Sequence, residues 1–292
     1  MDRMTRQRRR RRPADNGIPQ RRDEGEHAMP DRTLLIGLDE PEARELVARL
    51  PGAVVDRPTL PRLRLDAGRL SVERLGWVGE FLEVERVVYH GIFDDDFPAL
   101  SALALWGGPC LPDAAGMMDA RLPIPCLARA RRVSRFGGLP RSWADRGTVI
   151  TPPGPSVAKW GDWHCGEGKD LVTGPHACEV PTLVEPFVAG RVVRVHLMGD
   201  RVWQIALAGD DWKKSIHHPA AALTPVDREL SADTRGLAAA FRLEMLAVDY
   251  VVADDGGRHL LEVNHIPNVT RFPEIRAAYL DLVERWVRTG RA

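Results

Sequence analysis

The segment Leu246 to Asn264, LAVDYVVADDGGRHLLEVN, constrains the fold more than any other stretch of this chain. Two apolar runs flank Asp254-Asp255-Gly256-Gly257, the composition of a tight hairpin turn. The runs are therefore expected to be antiparallel neighbours. Side chains at i and i+2 of a strand share a face, so Glu262 and Asn264 should project side by side, with Asp249 brought near them by the hairpin. Three hard oxygen donors at one strand end suit Mg²⁺, which keeps waters and phosphate oxygens in its other positions. The alternative is that Glu262 and Asn264 are surface polar residues beside the turn at Pro267.

Lysine use narrows the chemistry further. Of 41 basic residues only Lys159, Lys169, Lys213 and Lys214 are lysines. Lysine offers a compact point charge where arginine offers a planar fork, so a chain that defaults to arginine is read as keeping lysine where the compact group is needed. Lys159 ends an apolar run, SVAKW, and is followed by the glycine-rich GDWHCGEGK. Glycines let backbone N–H groups approach phosphates while an ammonium balances the charge. The spacing is not that of a Walker A loop, and the chain has no GxGxxG, so a dinucleotide site is not indicated.

The remaining chain reads as ordered α/β sequence with one exception. Residues 1–30 carry nine Arg against five acids and almost no core-forming residues, so they are expected to be a disordered basic tail. Met29 is a candidate start immediately before folded sequence. A basic arm for nucleic acid is the weaker reading of this tail. From 31 to 112, strands at 32–38, 52–56 and 84–93 alternate with helices at 40–50 and 98–106, and a hairpin spans 62–73. A second segment, 113–184, holds a helix near 122–135 and the strands around the glycine-rich loop. A third, 185–292, holds the strand pair RVVRVHLMGDRVWQIALA, a helix at 232–245, the opening hairpin and a terminal amphipathic helix. No apolar run spans a bilayer, no signal peptide is seen and the four cysteines form no CxxC pair, so a cytoplasmic protein with reduced thiols is expected.

Taken in order, VAKWGDWHCGEG, LVEPFVAGRVVRVHLMGDRV, DWKKSIHH, LAVDYVV and LLEVNHIP resemble the ATP-grasp superfamily, especially the branch of ribosomal-protein glutamate ligases and glutathione synthetases. The resemblance implies an N-terminal α/β domain followed by two α+β lobes that clasp ATP. It implies that Lys159 contacts the α- and β-phosphates, that the loop 161–168, with Gly166 and Gly168, closes over the nucleotide, and that Glu185, Pro186, Phe187 and Val188 form a hinge presenting backbone groups to adenine. Asp249, Glu262 and Asn264 would hold two Mg²⁺, and Arg194 and Lys213 would face the γ-phosphate and an acyl-phosphate, with Lys214 the alternative to Lys213. The implied reaction joins a carboxylate, on a small molecule or a peptide, to an amine or thiol. A dimer is common in this family, and no membrane partner is implied.

This sequence departs from the family at three places. Val192 stands where an acid often precedes the arginine by two residues, Ser215 where Asn is usual, and Asn268 where Gly commonly follows the proline. These leave open a nucleotide-binding regulatory or scaffold protein without turnover, and a phosphotransferase acting on another acceptor. The His164, Cys165, His176 and Cys178 group does not have standard zinc-knuckle spacing. Asp94, Asp95 and Asp96 precede a helix and are read as capping and dipole-favourable charge. Trp160 and Trp163 are read as core or lid anchors.

Overall fold

The computed structural model describes residues 31–162 and 168–291. The tail, Trp163, His164, Cys165 and Gly166 therefore lie outside the described residues. The described chain opens with β1 (Arg32–Ile36), α1 (Glu40–Arg49) and β2 (Ala53–Arg57), then β3 (Leu63–Asp66), β4 (Arg69–Glu73) and β5 (Phe81–Glu83), followed by β6 (Arg86–Tyr89), α2 (Phe97–Trp106) and β7 (Cys110–Leu111). Strands β2-β1-β6-β7 form a parallel sheet, while β3-β4-β5 form a separate antiparallel one. A right-handed crossover between parallel strands needs an intervening element, and α1 supplies it between β1 and β2. The expected strand at 84–93 is only Arg86–Tyr89. Beyond Tyr89 the chain leaves the sheet and turns into the cleft described below.

Two helices, α3 (Ala114–Ala120) and α4 (Pro123–Val133), lead into β8 (Ser142–Ala144), β9 (Val149–Ile150), β10 (Ser156–Trp160), β11 (Lys169–Val172), β12 (His176–Ala177) and β13 (Thr182–Pro186). Here β11-β10-β13-β8 make an antiparallel sheet with β11 at its edge. The last part comprises β14 (Gly190–Met198), β15 (Arg201–Ala206), β16 (Ala222–Thr224), α5 (Arg228–Phe241), β17 (Met245–Ala253), β18 (Arg258–Asn264) and α6 (Pro273–Thr289). Its sheet has the order β16-β15-β14-β17-β18.

The α5 boundaries differ from the sequence expectation for a local reason. Asp227 caps the helix by accepting from Glu229 and Leu230 N–H groups, and Arg242 takes a left-handed conformation that ends it. Met245 is thereby released into β17 and buried.

The two faces of the five-stranded sheet have different partners. Val193, Val195, Val248 and Tyr250 face one apolar cluster with Leu237 and Phe241 of α5. Met198 and Met245 join another with Tyr279, Val283 and Trp286 of α6. Alternation along a strand sends neighbours to opposite faces, so the face carrying Met198 also carries Arg194 and His196. Near the α6 end that face is covered; toward Arg194 it opens into a cleft. Helix α6 is tied back to α1 by Arg276, which pairs with Glu42 and Glu45. Among the described residues no helix is long and apolar enough to cross a membrane.

Candidate active site

The hairpin of β17 and β18 is not regular. Val252, Val251 and Tyr250 pair with Arg258, His259 and Leu260, but the ladder then skips Leu261, setting Asp249 opposite Glu262 and Ala247 opposite Asn264. Opposite residues of antiparallel strands share a face. Without the extra residue Asp249 would face Leu261, and Glu262 would turn away from it. The bulge therefore creates the carboxylate pair. It is held from the other sheet: Lys159 Nζ donates to Leu261 O at 3.3 Å, and Arg141 donates to Leu260 O at 2.7 Å.

Arg194 on β14 lies opposite Asp249 on β17, so Arg194, Asp249 and Glu262 form a row across three strands. The guanidinium grips Asp249 through two bonds of 2.6 and 2.7 Å, the planar fork matching both carboxylate oxygens. His196 follows two residues along β14 and is fully buried. Burial, reinforced by the charge of Arg194, lowers its pKa to about 3, so the ring is neutral at physiological pH.

The four-stranded sheet contributes the opposite charge. Lys159 on β10 lies opposite Lys169 on β11. Directly opposed like charges repel, and each ammonium is compensated. Lys159 pairs with Glu185, a buried carboxylate that also accepts from Arg141 Nε at 2.8 Å. Lys169 Nζ donates to Glu262 Oε2 at 2.8 Å. Burial pulls the Lys169 pKa down, but the charge and hydrogen bond of Glu262, with Asp249 and Glu185 behind it, raise it on balance. Gly168 makes the approach of the two strands possible: its φ is +62°, and a Cβ there would lie 2.2 Å from Trp160 O.

Two connected spaces border this charge cluster. A cavity of about 130 Å³ has apolar walls including Val157, Phe187, Val192, Trp212, Val251 and Leu261, and its lining also carries the four lysines and the carboxylates of Glu185, Asp249 and Glu262. An open cleft of about 520 Å³ lies on the other side, between Arg194, Asn264 and the 266–270 loop and residues 37–42 and 90–93 of the N-terminal part. Lys169, Lys213, Lys214, Asp249 and Glu262 border both. An apolar slot that also carries ammonium groups suits a flat aromatic base with an anionic tail, and the wider polar cleft suits a second reactant next to that tail.

The structure thus brings Lys159, Glu185, Arg194, Lys213, Asp249, Glu262 and Asn264 around one pair of spaces. Pro186, Phe187 and Val188 line the smaller one; the Phe187 N–H is engaged by Pro155 O. Gly168 borders a minor recess beside Lys159 and Glu262. Lys213 Nζ lies 5.4 Å from the Trp212 ring centroid, whereas Lys214 Nζ is held by the carbonyls of Gly209 and Asp211. Val192 adds to the apolar wall, and Asn268 braces its own loop by accepting from Arg271 N–H.

Other expectations are resolved differently. Asp96 stands at the α2 cap position but does not cap the helix. It is buried and takes Arg121 Nε at 2.5 Å, Tyr89 Oη and Phe93 N–H instead, while Asp94 and Asp95 remain exposed. His176 stacks on Trp160 and Cys178 is a buried free thiol. Sequence reasoning gave no role to Lys169, Arg141 or Trp212. The lysine count pointed at the first; nothing local marked the other two.

The residues fit a magnesium ion. Asn264 is buried and its Nδ2 has no hydrogen-bond partner; turning the amide over presents its carbonyl oxygen at that position. With Asp249 and Glu262 it completes an oxygen donor set of the kind Mg²⁺ takes. Among the described residues no group of three His, Cys, Asp or Glu side chains gathers as a metal cluster, so the charged donors here are two.

No family model and no curated protein sequence matches the chain. Solved structures do. D-alanyl-alanine synthetase A from Vibrio cholerae aligns with a TM-score of 0.62 at 14% identity, over 89% of this chain and 98% of that one. A RiPP-associated ATP-grasp ligase from Chryseobacterium gregarium, in complex with ADP and a leader and core peptide, aligns with a TM-score of 0.56 at 12% identity, covering 90% and 98%. The ATP-grasp ligase PsnB, complexed with a phosphomimetic variant of minimal precursor, Mg and ADP, aligns with a TM-score of 0.54 at 16% identity, covering 86% and 98%. The chain has the ATP-grasp fold. Its parallel N-terminal sheet and two antiparallel sheets around a shared cleft are the parts of that architecture.

Proposed function

We propose that this ATP-grasp chain is an ATP-dependent ligase that joins a carboxylate to an amine or thiol through an acyl-phosphate, in the manner of the ribosomal-protein glutamate ligase and glutathione synthetase branch. The observation that carries the reading is the opposition of a lysine pair, Lys159 and Lys169, to a carboxylate pair, Asp249 and Glu262, where an apolar slot meets a wide cleft. The three parts would be 31–112, 113–184 and 185–292, with the nucleotide held between the second and third.

In this reading adenine occupies the apolar slot by the Glu185–Val188 hinge. Pro186 has no N–H and Phe187 spends its own on Pro155, so polar recognition of the base falls to Val188 and the hinge carbonyls. Lys159 leaves its Glu185 pairing to meet the α- and β-phosphates. Asp249, Glu262 and Asn264 would hold Mg²⁺, which when bound neutralises phosphate charge and fixes the oxygens for transfer. Arg194 keeps Asp249 oriented and presents its outer edge to the transferred phosphoryl group, with Lys213 approaching from the 209–218 loop. The carboxylate attacks the γ-phosphorus as the bond to the ADP oxygen breaks; the amine or thiol in the wide cleft then attacks the acyl carbon of the acyl-phosphate, losing its proton, and inorganic phosphate leaves. Positioning and charge neutralisation do most of such catalysis. The acceptors are a small molecule or a peptide; the peptide complexes among the similar structures support the latter.

A nucleotide-binding module without turnover is the second reading, favoured by the fact that both carboxylates already hold protein cations. Thermal unfolding with ATP alone and with Mg-ATP tests the site: near 100 times the dissociation constant the wild type gains roughly 2.7 kcal/mol, and Glu262→Ala does not respond. ADP release on supplying acceptor pairs then separates ligase from module. No Mg-ATP response in the wild type would remove both readings.

A further inference from the structure

Arg141 borders neither of the two spaces, yet its contacts give it a part in nucleotide binding. We propose that it is the standing counter-ion of Glu185, a positioning residue that frees Lys159 to move to the phosphates. The inference rests on the nucleotide reading given under Proposed function, in which Lys159 leaves Glu185.

Burial sets the problem. Glu185 is 2% exposed, and its carboxylate is shared between two cations: Lys159 Nζ on Oε1 and Arg141 Nε on Oε2, the latter at 2.8 Å. Lys159 lines the apolar slot together with Glu185. The Arg141 side chain is 3% exposed and lines neither the slot nor the cleft. One partner can therefore reach a ligand and the other cannot. Taking away the single partner of a buried charge is strongly unfavourable. Were Lys159 alone on Glu185, a phosphate contact made by Lys159 would leave a buried carboxylate uncompensated. Arg141 removes that conflict. Lys169 also feels the charge of Glu185, but its hydrogen bond goes to Glu262.

The same two cations share a second task at the bulge. Lys159 Nζ donates to Leu261 O at 3.3 Å and Arg141 to Leu260 O at 2.7 Å. When Lys159 moves, Leu261 O loses its donor. Leu260 stays held on both sides, by Arg141 at its carbonyl and by Phe136 O, which accepts its N–H at 2.9 Å. Arg141 is itself fixed by donating to Gly137 O and Leu139 O at 3.3 and 3.1 Å. A guanidinium, planar and with donors on several sides, suits the partner that stays; a compact ammonium on a flexible stem suits the partner that moves.

The test compares Mg-ATP with adenosine, which has no phosphates for Lys159 to meet, both measured by isothermal titration calorimetry. Arg141→Met should weaken Mg-ATP binding about 30-fold, while adenosine changes by no more than about twofold. Adding Glu185→Gln removes the buried charge and keeps the hinge backbone. The double variant should return Mg-ATP to within about threefold of wild type, although the carbonyls of Gly137, Leu139 and Leu260 still lack their donor. A role confined to bracing those carbonyls predicts no such rescue. Equal losses of Mg-ATP and adenosine in Arg141→Met, or no rescue by Glu185→Gln, overturns the inference. Should Arg141→Met fail to fold, Glu185→Gln is compared with the double variant: the ratio of the two affinities must be the same in both, and a lower preference for Mg-ATP in the double variant overturns the inference. A wild type that does not prefer Mg-ATP to adenosine overturns the nucleotide reading itself.

Discussion

Two like-charged cross-strand pairs face one another in this protein, and they are built differently. Lys159 and Lys169 meet in the regular register of β10 and β11, where the glycine at 168 closes the turn between them. Asp249 and Glu262 meet only because Leu261 is bulged out of the ladder of β17 and β18. Each pair alone is repulsive. The carboxylate pair is relieved inside its own sheet by Arg194, whose position is set by strand register; Glu262 is relieved from across the cleft by Lys169. The first relief lies within one sheet, its two partners set opposite each other by the strand register. The second joins two sheets, and in the proposed reading it is the one that a ligand exchanges.

The most severe way to break the comparison is to delete Leu261. The ladder would become regular and Glu262 would turn to the opposite face, leaving the lysine pair intact and the carboxylate pair divided. Mg-dependent nucleotide affinity and turnover should fall by roughly 10²–10³, with a loss of thermal stability from the misplaced carboxylate. Retention of Mg-ATP binding by the deletion variant would show that the bulge does not place the metal ligands.

A smaller effect is expected from acid. His196 is fully buried and His90 is half-buried against Tyr279, and burial lowers their pKa values to about 3 and about 4. A depressed pKa means that the unfolded chain binds the proton first, so their neutral, buried forms support the fold fully above about pH 6.5 and lose ground as pH falls toward 4. At pH 5 His196 should cost about 2 kcal/mol relative to pH 8, and the half-buried His90 less. Urea midpoints at the two pH values check this, and His196→Leu should flatten the dependence. An unchanged slope in that variant would mean His196 is not what the acid titrates.

The finest distinction concerns the lysines of the 209–218 loop. Lys214 is spent on backbone carbonyls of its own loop, while Lys213 rests on Trp212. Lys213→Ala should lower kcat/KM about tenfold and Lys214→Ala by no more than about threefold. The reverse order would reassign the phosphate contact.

Much of this was legible in the chain. A turn of Asp-Asp-Gly-Gly between apolar runs specifies an antiparallel hairpin through local backbone preferences, and the four lysines among many arginines all line one or both of the two spaces, although Arg194 joins them in the cleft. The helix at α5 was legible too, but its ends were not: Asp227 as cap and Arg242 in a left-handed conformation are single-residue events that periodicity does not register. Asp96 shows the limit in another form. Its sequence position fits a cap, yet a buried guanidinium from 25 residues away outbids the local role.

What the sequence by itself determined is the inventory and the local geometry: which strand ends carry carboxylates, where the glycines loosen the chain, which residues bring compact positive charge. Only the tertiary structure decided that Leu261 is the residue left out of the ladder and that Lys169, rather than a neighbour in sequence, stands on Glu262. Both depend on contacts between sheets, Arg141 and Lys159 reaching the carbonyls of 260 and 261 and Lys169 reaching across the cleft. Strand alternation has a period of two and cannot signal a slip of one, because the energy that selects the slip comes from partners about a hundred residues away.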